Sequence, residues 1–277
     1  MNGTFLPLAE ARVPVTDRGL LFGDAVYEVI PVYRGNPFRL DAHLRRLARS
    51  LAAIRIPNPH DDAGWRALFR ELIERNGGGD LSLYLQVTRG AYPRRDHRLP
   101  PDPRPTVIAF CQSRPGADPD TFESGVSAVV QPDIRWARCE IKSTALLPNV
   151  LLAAEAHDAG ANEAILVRDG HVTEGSSSNV FVVRDGTVAT PPLAPSILAG
   201  ITREAVLEVA RAHAVPCAER DIAADELAAA DEIWLTSSTR EIYPVTTLDG
   251  VPVGDGRPGP VWTRMRALLQ ADLDEPD

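Results

Sequence analysis

The chain has 277 residues, 44% hydrophobic and 24% charged, with a formal net charge of −9. That length suits one large or two ordinary domains, and the balance is that of a soluble globular protein. The acidic excess leaves no basic surface to neutralise phosphates, which argues against nucleic-acid binding, and no apolar run approaches a membrane span.

The opening stretch, MNGTFLPLAEARVPVTDRG, lacks a basic segment followed by an apolar one, so no signal peptide is expected. DAVYEVIPVYRGNPFRL reads as two strands joined by the turn RGNP. In DAHLRRLARSLAAIRI, Asp41 is the expected N-cap, and Leu44, Leu47, Ala48, Leu51 and Ile54 share one helical face. A second amphipathic helix carries Trp65, Leu68, Phe69, Leu72 and Ile73 and stops at Gly77. LSLYLQVTRG and TVIAFCQ read as strands.

The polar, Pro- and Gly-containing SRPGADPDTFESG is the expected linker. It divides the chain into an N-terminal domain over 1–115, a linker over 116–122 and a C-terminal domain over 123–277. The second half opens with the strand VSAVVQ, and a helix, LLPNVLLAAEAHDAG, follows Lys142. Two hairpins turn at RDG, at 168–170 and 184–186. TREAVLEVARAHAV is an amphipathic helix with Thr202 as its expected cap, and EIWLTSS is a further strand. Strands surrounded by helices without regular alternation give an α+β class. Cys111, Cys139 and Cys217 have neither metal nor disulfide spacing, which suits small apolar residues in a reducing cytoplasm.

Of the 29 basic residues, Lys142 is the sole lysine. Arginine-rich coding bias can leave a lysine anywhere. The chemical reading is that an amine can lose its proton and form a Schiff base, which a guanidinium cannot. A Schiff base implies a carbonyl substrate or pyridoxal 5'-phosphate (PLP). PLP also needs a phosphate cradle, a partner for its pyridine nitrogen and a clamp for the substrate carboxylate. Gly200, Ile201 and Thr202 open a helix, where backbone N–H groups favour an anion, and the TSST run, Thr236 to Thr239, adds hydroxyls. Arg46 is a possible charge partner. Glu174, in VTEGSSSNVF, could hold the ring nitrogen. Each also has a plain reading: a capped helix, a Ser/Thr turn, a solvated arginine, an exposed turn glutamate.

Taken in order, RGLLFGDAVYEVIPVYRG, AHLRRL, DIRWARCEIKS, VTEGSSSNVFVV, LAGITRE and IWLTSSTREIYPV resemble the fold-type IV PLP enzymes, and within them the D-amino-acid aminotransferases. The resemblance runs from about residue 15 to the last helix. It implies two domains, a smaller N-terminal α/β sandwich and a larger C-terminal pseudobarrel of strands with helices. It implies that Lys142 holds PLP and shuttles the proton, and that Glu174 partners the ring nitrogen. Arg46, Ile201, Thr202 and Ser238 match phosphate contacts, Ser177 lies in the serine run lining the cofactor, and Tyr27 matches a tyrosine near the substrate carboxylate. The Arg-x-His clamp of these enzymes is matched by Arg95 and His97 in VTRGAYPRRDHRLP. This loop is one residue longer than the family pattern, so a slip in register would put Arg94 in the clamp. In relatives the loop serves the neighbouring subunit, which implies a homodimer.

The implied reaction is ping-pong transfer from a D-amino acid, such as D-alanine or D-glutamate, to 2-oxoglutarate or pyruvate. Branched-chain L-amino-acid aminotransferases and R-selective amine transaminases share lysine and glutamate but differ in the clamp. The 4-amino-4-deoxychorismate lyases use the same lysine for elimination, and a non-enzymatic PLP carrier would need no clamp.

Overall fold

The computed structural model describes residues 1–114 and 119–274. The chain folds into two compact units. One is Met1–Pro115 with Ile141–Leu146; the other is Gly116–Glu140 with Leu147–Asp277.

The first unit begins with the short helix α1 (Arg18–Phe22), whose N-terminus is capped by the Asp17 carboxylate on Gly19 N–H. Strands β1 (Ala25–Tyr33) and β2 (Asn36–Pro37), helices α2 (Leu40–Ala53) and α3 (Asp62–Arg75), and strands β3 (Leu81–Thr88) and β4 (Thr106–Ser113) follow. The strands form an antiparallel sheet in the order β2-β1-β3-β4. Alternation places Val26, Ile30 and Val32 of β1 and Leu81, Leu83, Leu85 and Val87 of β3 in one core. Leu44, Leu47 and Leu51 of α2 and Trp65, Phe69, Leu72 and Ile73 of α3 complete it.

Helix α2 starts earlier than its sequence suggests. Its N-cap is Arg39, in the left-handed region at φ 49° and without a side-chain bond, so Asp41 lies inside the first turn. Asp41 instead pairs with Arg66. Ala48 is exposed rather than core-facing, because the buried stripe bends toward Ala42, His43, Arg46 and Ser50.

The segment around Lys142 joins this unit. Strand β1 meets β2 only at Val32 and Tyr33, which leaves its first residues with an open edge. Residues 142–144 fill that edge: Tyr27 N–H donates to Lys142 O at 2.9 Å, and Thr144 N–H to Ala25 O at 3.0 Å. Ile141 enters the core.

The second unit contains α4 (Pro119–Ser124), β5 (Val126–Pro132), α5 (Leu147–Asp158), β6 (Glu163–Arg168), β7 (His171–Gly175), β8 (Asn179–Arg184) and β9 (Thr187–Thr190). It continues with α6 (Ile201–Ala212), β10 (Cys217–Glu219), β11 (Glu232–Ser237), β12 (Glu241–Leu248), β13 (Val251–Pro252) and α7 (Pro260–Asp274). Of the expected linker, 116–118 lie outside the described residues, and 119–122 belong to α4. Nine strands make one mixed sheet in the order β10-β9-β8-β11-β12-β5-β6-β7, with β13 beside β12. The sheet curls. Val172 N–H at the start of β7 bonds Ile222 O at 2.9 Å, so the chain leaving β10 meets the far edge strand. The two RDG turns connect β6 to β7 and β8 to β9. Asp169 and Gly170 (φ 51° and 78°) and Asp185 and Gly186 (φ 50° and 73°) supply the two positive φ angles of a tight hairpin. Helix α6 begins with Gly200 as N-cap, ahead of the expected Thr202, which is its second residue. Of the cysteines only Cys139 is fully buried; Cys111 and Cys217 are half-buried.

Helix α7 is fastened by one carboxylate. Glu232 of β11 is buried and accepts Val261 N–H at 2.9 Å and Trp262 N–H at 2.8 Å, at the helix N-terminus, and Trp234 Nε1–H at 2.9 Å. Replacing Glu232 by Ala strands all three donors. The expected loss is about 2–4 kcal/mol, read as a lower urea midpoint for unfolding, while Glu232→Gln loses less because it keeps an acceptor oxygen.

Candidate active site

The residues singled out by sequence fall into two groups, one in each unit. In the first unit Lys142 is half-buried on the edge of β1. Its N–H reaches Ser50 Oγ of α2 at 3.3 Å, so backbone on both sides of the residue is held by the core. Its Nζ lies 4.3 Å from the ring centroid of Tyr27, which stacks on Tyr84, itself stacked on Phe110. The amine therefore stands on a rigid aromatic ledge.

The same unit holds a buried ionic cluster. Glu28 occupies an inward position of β1 between Val26 and Ile30. The Arg46 guanidinium donates to it twice, Nε to Oε1 at 2.8 Å and Nη2 to Oε2 at 2.7 Å, and His43 Nδ1 is 2.7 Å from Oε2. Burial pushes the Glu28 carboxyl up, and Arg46 and His43 more than reverse this, holding it at about 2. Burial also lowers His43, against the pull of Glu28, so His43 is a neutral imidazole with its proton on Nδ1, facing the carboxylate. Its Nε2 is buried without a partner among the described residues. Arg46 is thus a fixed, desolvated cation and not a solvated surface arginine.

In the second unit Glu174 lies near the end of β7 and is buried. Its Oε2 accepts Leu198 N–H at 2.9 Å and Asn179 Nδ2–H at 3.2 Å, and its Oε1 accepts Arg135 Nη1–H. Asn179 pairs with Thr236 across β8 and β11, and its Nδ2 also reaches Leu198 O at 2.9 Å. A side chain at Gly200 would overlap Asn179 Oδ1. One asparagine therefore gathers Glu174, the start of α6 and the end of β11. Gly200 supplies no capping side chain, so the first-turn N–H groups, including those of Ile201 and Thr202, are not capped by the N-cap residue. Thr236 Oγ1 is buried with no partner among the described residues. Ser238 lies in the turn after β11. The serine run is folded around a second carboxylate: Ser176 and Ser177 donate to Glu163, Ser177 at 2.9 Å, and Tyr243 Oη lies 3.4 Å from it.

The loop carrying Arg95 and His97 packs on α1. The Arg95 guanidinium lies 4.9 Å from the Phe22 ring centroid, and the His97 ring 5.1 Å from the same ring. Arg18 Nη1 donates to Asp96 O at 2.5 Å and Arg18 Nε to Asp24 at 2.8 Å, which fixes the loop between the two residues. Arg95 and His97 are exposed, and among the described residues neither bonds to Tyr27 or Lys142. Arg94 has no ring contact of this kind among those residues.

Glu28, His43, Arg135, Asn179 and Glu163 were not singled out from sequence. Glu28 carried a readable signal, an ionisable residue at an inward position of an alternating strand. The others gave none, since their partners are distant in sequence.

Residues 25–248 match the family described as amino-transferase class IV. The chain belongs to the class IV aminotransferases. It is similar to a D-alanine aminotransferase of Bacillus licheniformis, 42% identical over 98% of this chain and 95% of the relative. A D-alanine aminotransferase of Staphylococcus aureus is 39% identical over 96% and 94% of the two chains. Among solved structures, a T.th. branched-chain amino acid aminotransferase with pyridoxamine 5'-phosphate superposes with a TM-score of 0.90 at 29% identity, covering 98% of this chain and 92% of the other. A fold IV transaminase of Curtobacterium pusillum gives 0.82 at 33% identity, covering 95% and 92%. This aminotransferase is accordingly a fold-type IV, PLP-dependent enzyme of α+β architecture. The residues present fit that cofactor: a single amine on a rigid support, an uncapped helix N-terminus beside an orphaned hydroxyl, and a buried carboxylate for a cationic ring nitrogen. Among the described residues no group could hold a metal ion, and no helix is long and apolar enough to cross a membrane.

The Glu28 cluster gives the aminotransferase a defined acid response. His43 is depressed below its ordinary 6.5, so it must gain a proton on unfolding as pH falls through that value. Glu28 is depressed from 4.5 to about 2, so its contribution is full above 4.5 and is lost as pH falls toward 2. Melting temperature is expected to fall in two stages on acidification, the first below pH 6.5 and the second below 4.5. His43→Asn, followed by calorimetry across this range, is expected to abolish the first stage only.

Proposed function

We propose that this enzyme transfers the amino group of D-amino acids, such as D-alanine or D-glutamate, to a 2-oxo acid acceptor, 2-oxoglutarate or pyruvate, by a ping-pong route. The observation that carries the reading is the Arg95/His97 pair, held over one ring, Phe22, in a chain whose curated relatives are D-alanine aminotransferases. PLP, when bound, supplies the electron sink for the α-carbon.

Lys142 would hold the cofactor through its amine, and the same amine would serve as general base toward the substrate α-proton. The Tyr27 ledge keeps its Nζ from wandering between these tasks. Glu174 would hold the ring nitrogen of the bound cofactor and favour its protonated form. Ile201, Thr202 and Ser238 hold the phosphate together with Arg46, whose charge is already steadied by Glu28. Ser177, on the serine run organised by Glu163, lines the cofactor. Tyr27, Arg95 and His97 take the substrate carboxylate and so choose which α-hydrogen faces Lys142. Arg95 is preferred over Arg94, because it shares a ring with His97. The reading includes a homodimer whose clamp loop serves the neighbouring subunit, and a cytoplasmic enzyme.

The test adds D-alanine, L-leucine or (R)-1-phenylethylamine singly to the purified enzyme and follows the visible absorption of its cofactor. Loss with D-alanine, coupled to pyruvate release, is expected; rapid loss with L-leucine and none with D-alanine sinks the reading. Borohydride followed by peptide mass analysis should place the cofactor on Lys142, and Lys142→Arg should leave none fixed. Arg95→Ala should raise KM for D-alanine by about tenfold to a hundredfold, the worth of a charge-assisted hydrogen bond, and Arg94→Ala far less.

A further inference from the structure

We propose that Arg135 is a positioning residue: it keeps the Glu174 carboxylate unprotonated and aimed, and thereby determines whether the ring nitrogen of the bound cofactor carries the proton. This rests on the reading of Glu174 as that nitrogen's partner.

Arg135 follows β5, and its side chain is 4% exposed. Its planar fork is divided between two carboxylates. Nε and Nη2 grip Asp133, at 2.9 Å to Oδ1 and 2.8 Å to Oδ2. Nη2 also reaches Ser196 O at 3.2 Å and Thr173 Oγ1 at 3.4 Å. That leaves Nη1 directed at Glu174 Oε1. The grip is itself braced, since Asp133 accepts Thr173 Oγ1–H at 2.9 Å and lies 3.1 Å from Arg168 Nη2. Lysine could not do this, because one ammonium does not span two carboxylates with a fixed fork.

The charges around Glu174 explain the need. From the segment after β5 come Arg135, Asp133 and the Cys139 thiol; Arg168 ends β6; Asn179 of β8 and the Leu198 N–H are neutral donors. Burial pushes Cys139 upward, so the thiol is neutral. Asp133 and Glu174 are balanced by Arg135 and Arg168, but of these two carboxylates Arg168 pairs with Asp133, its other bonds going to the Arg135 and Trp136 carbonyls. Burial raises the Glu174 carboxyl and Asp133 adds to that; Arg135 and the Leu198 N–H oppose both, and the carboxyl stays above its ordinary range, so Arg135 is what limits the rise. With Arg135 removed, Glu174 is a buried carboxylate beside a like charge and takes a proton from water. A protonated Glu174 can no longer accept from a protonated ring nitrogen. The proton then sits on Glu174 Oε, the nitrogen becomes the acceptor, and the ring is a weaker electron sink.

The experiment uses infrared spectroscopy of the carboxylic-acid C=O band in the cofactor-free protein at neutral pH, and NMR of PLP isotopically labelled at its ring nitrogen in the holoenzyme. Arg135→Gln is expected to show a carboxylic-acid band that is absent from wild type and lost again in Arg135→Gln/Glu174→Gln. Its nitrogen signal should move to the unprotonated position, with kcat reduced about tenfold to a hundredfold and KM for D-alanine within about twofold. No such band in folded Arg135→Gln overturns the proposal. A band accompanied by a nitrogen signal that neither Arg135→Gln nor Glu174→Gln moves overturns it through the Glu174 assignment instead. Should Arg135→Gln not fold, Arg135→Lys decides: its Glu174 band should come in about one pH unit higher than in wild type, and equal midpoints overturn the proposal.

Discussion

A carboxylate taken out of water needs partners that favour its charged form, and this chain supplies them at both Glu28 and Glu174: they more than reverse the effect of burial at Glu28 and oppose it at Glu174. Glu28 has Arg46 and His43, and Glu174 has Arg135, Asn179 and the Leu198 N–H. Guanidinium suits the task because it stays charged at any accessible pH and presents several donors in one plane. A chain with 29 basic residues of which one is lysine reflects the same division of labour. Arginine supplies permanent charge, and an amine is the basic group whose chemistry includes losing a proton.

The folds of both units serve to bring these partners together. In the first, β1 places Glu28 inward and leaves an open edge at Ala25 to Tyr27, and the segment carrying Lys142 completes it. The lysine is therefore supported by a strand distant in sequence, with Ser50 and Tyr27 holding backbone and amine. In the second, the curled sheet puts the end of β7 beside β8, and Asn179 links Glu174 to the uncapped start of α6.

Much of the candidate site was legible residue by residue. The lone lysine, the EGSSSN run, the LAGITRE turn and the Arg-x-His pair each sit in local sequence with a chemical meaning. Local sequence also misled in small ways. Asp41 and Thr202 have the right chemistry for helix caps, yet Arg39 and Gly200 take those positions because the chain enters each helix earlier. The expected linker runs into the helix Pro119–Ser124. Arg46 read as solvated when taken alone, since nothing in its own helix reveals Glu28 on the facing strand.

The sequence by itself determined most of the elements and which side chains are candidates for the chemistry, because strand alternation, turn glycines and distinctive side chains are properties of short stretches. Tertiary structure alone decided the charge state and aim of those groups. Arg135 and Glu174 are 39 residues apart, and Glu28 and Arg46 are 18 apart. Whether a buried carboxylate keeps its proton depends on which cation lies within hydrogen-bond reach, and only the folded chain sets that distance.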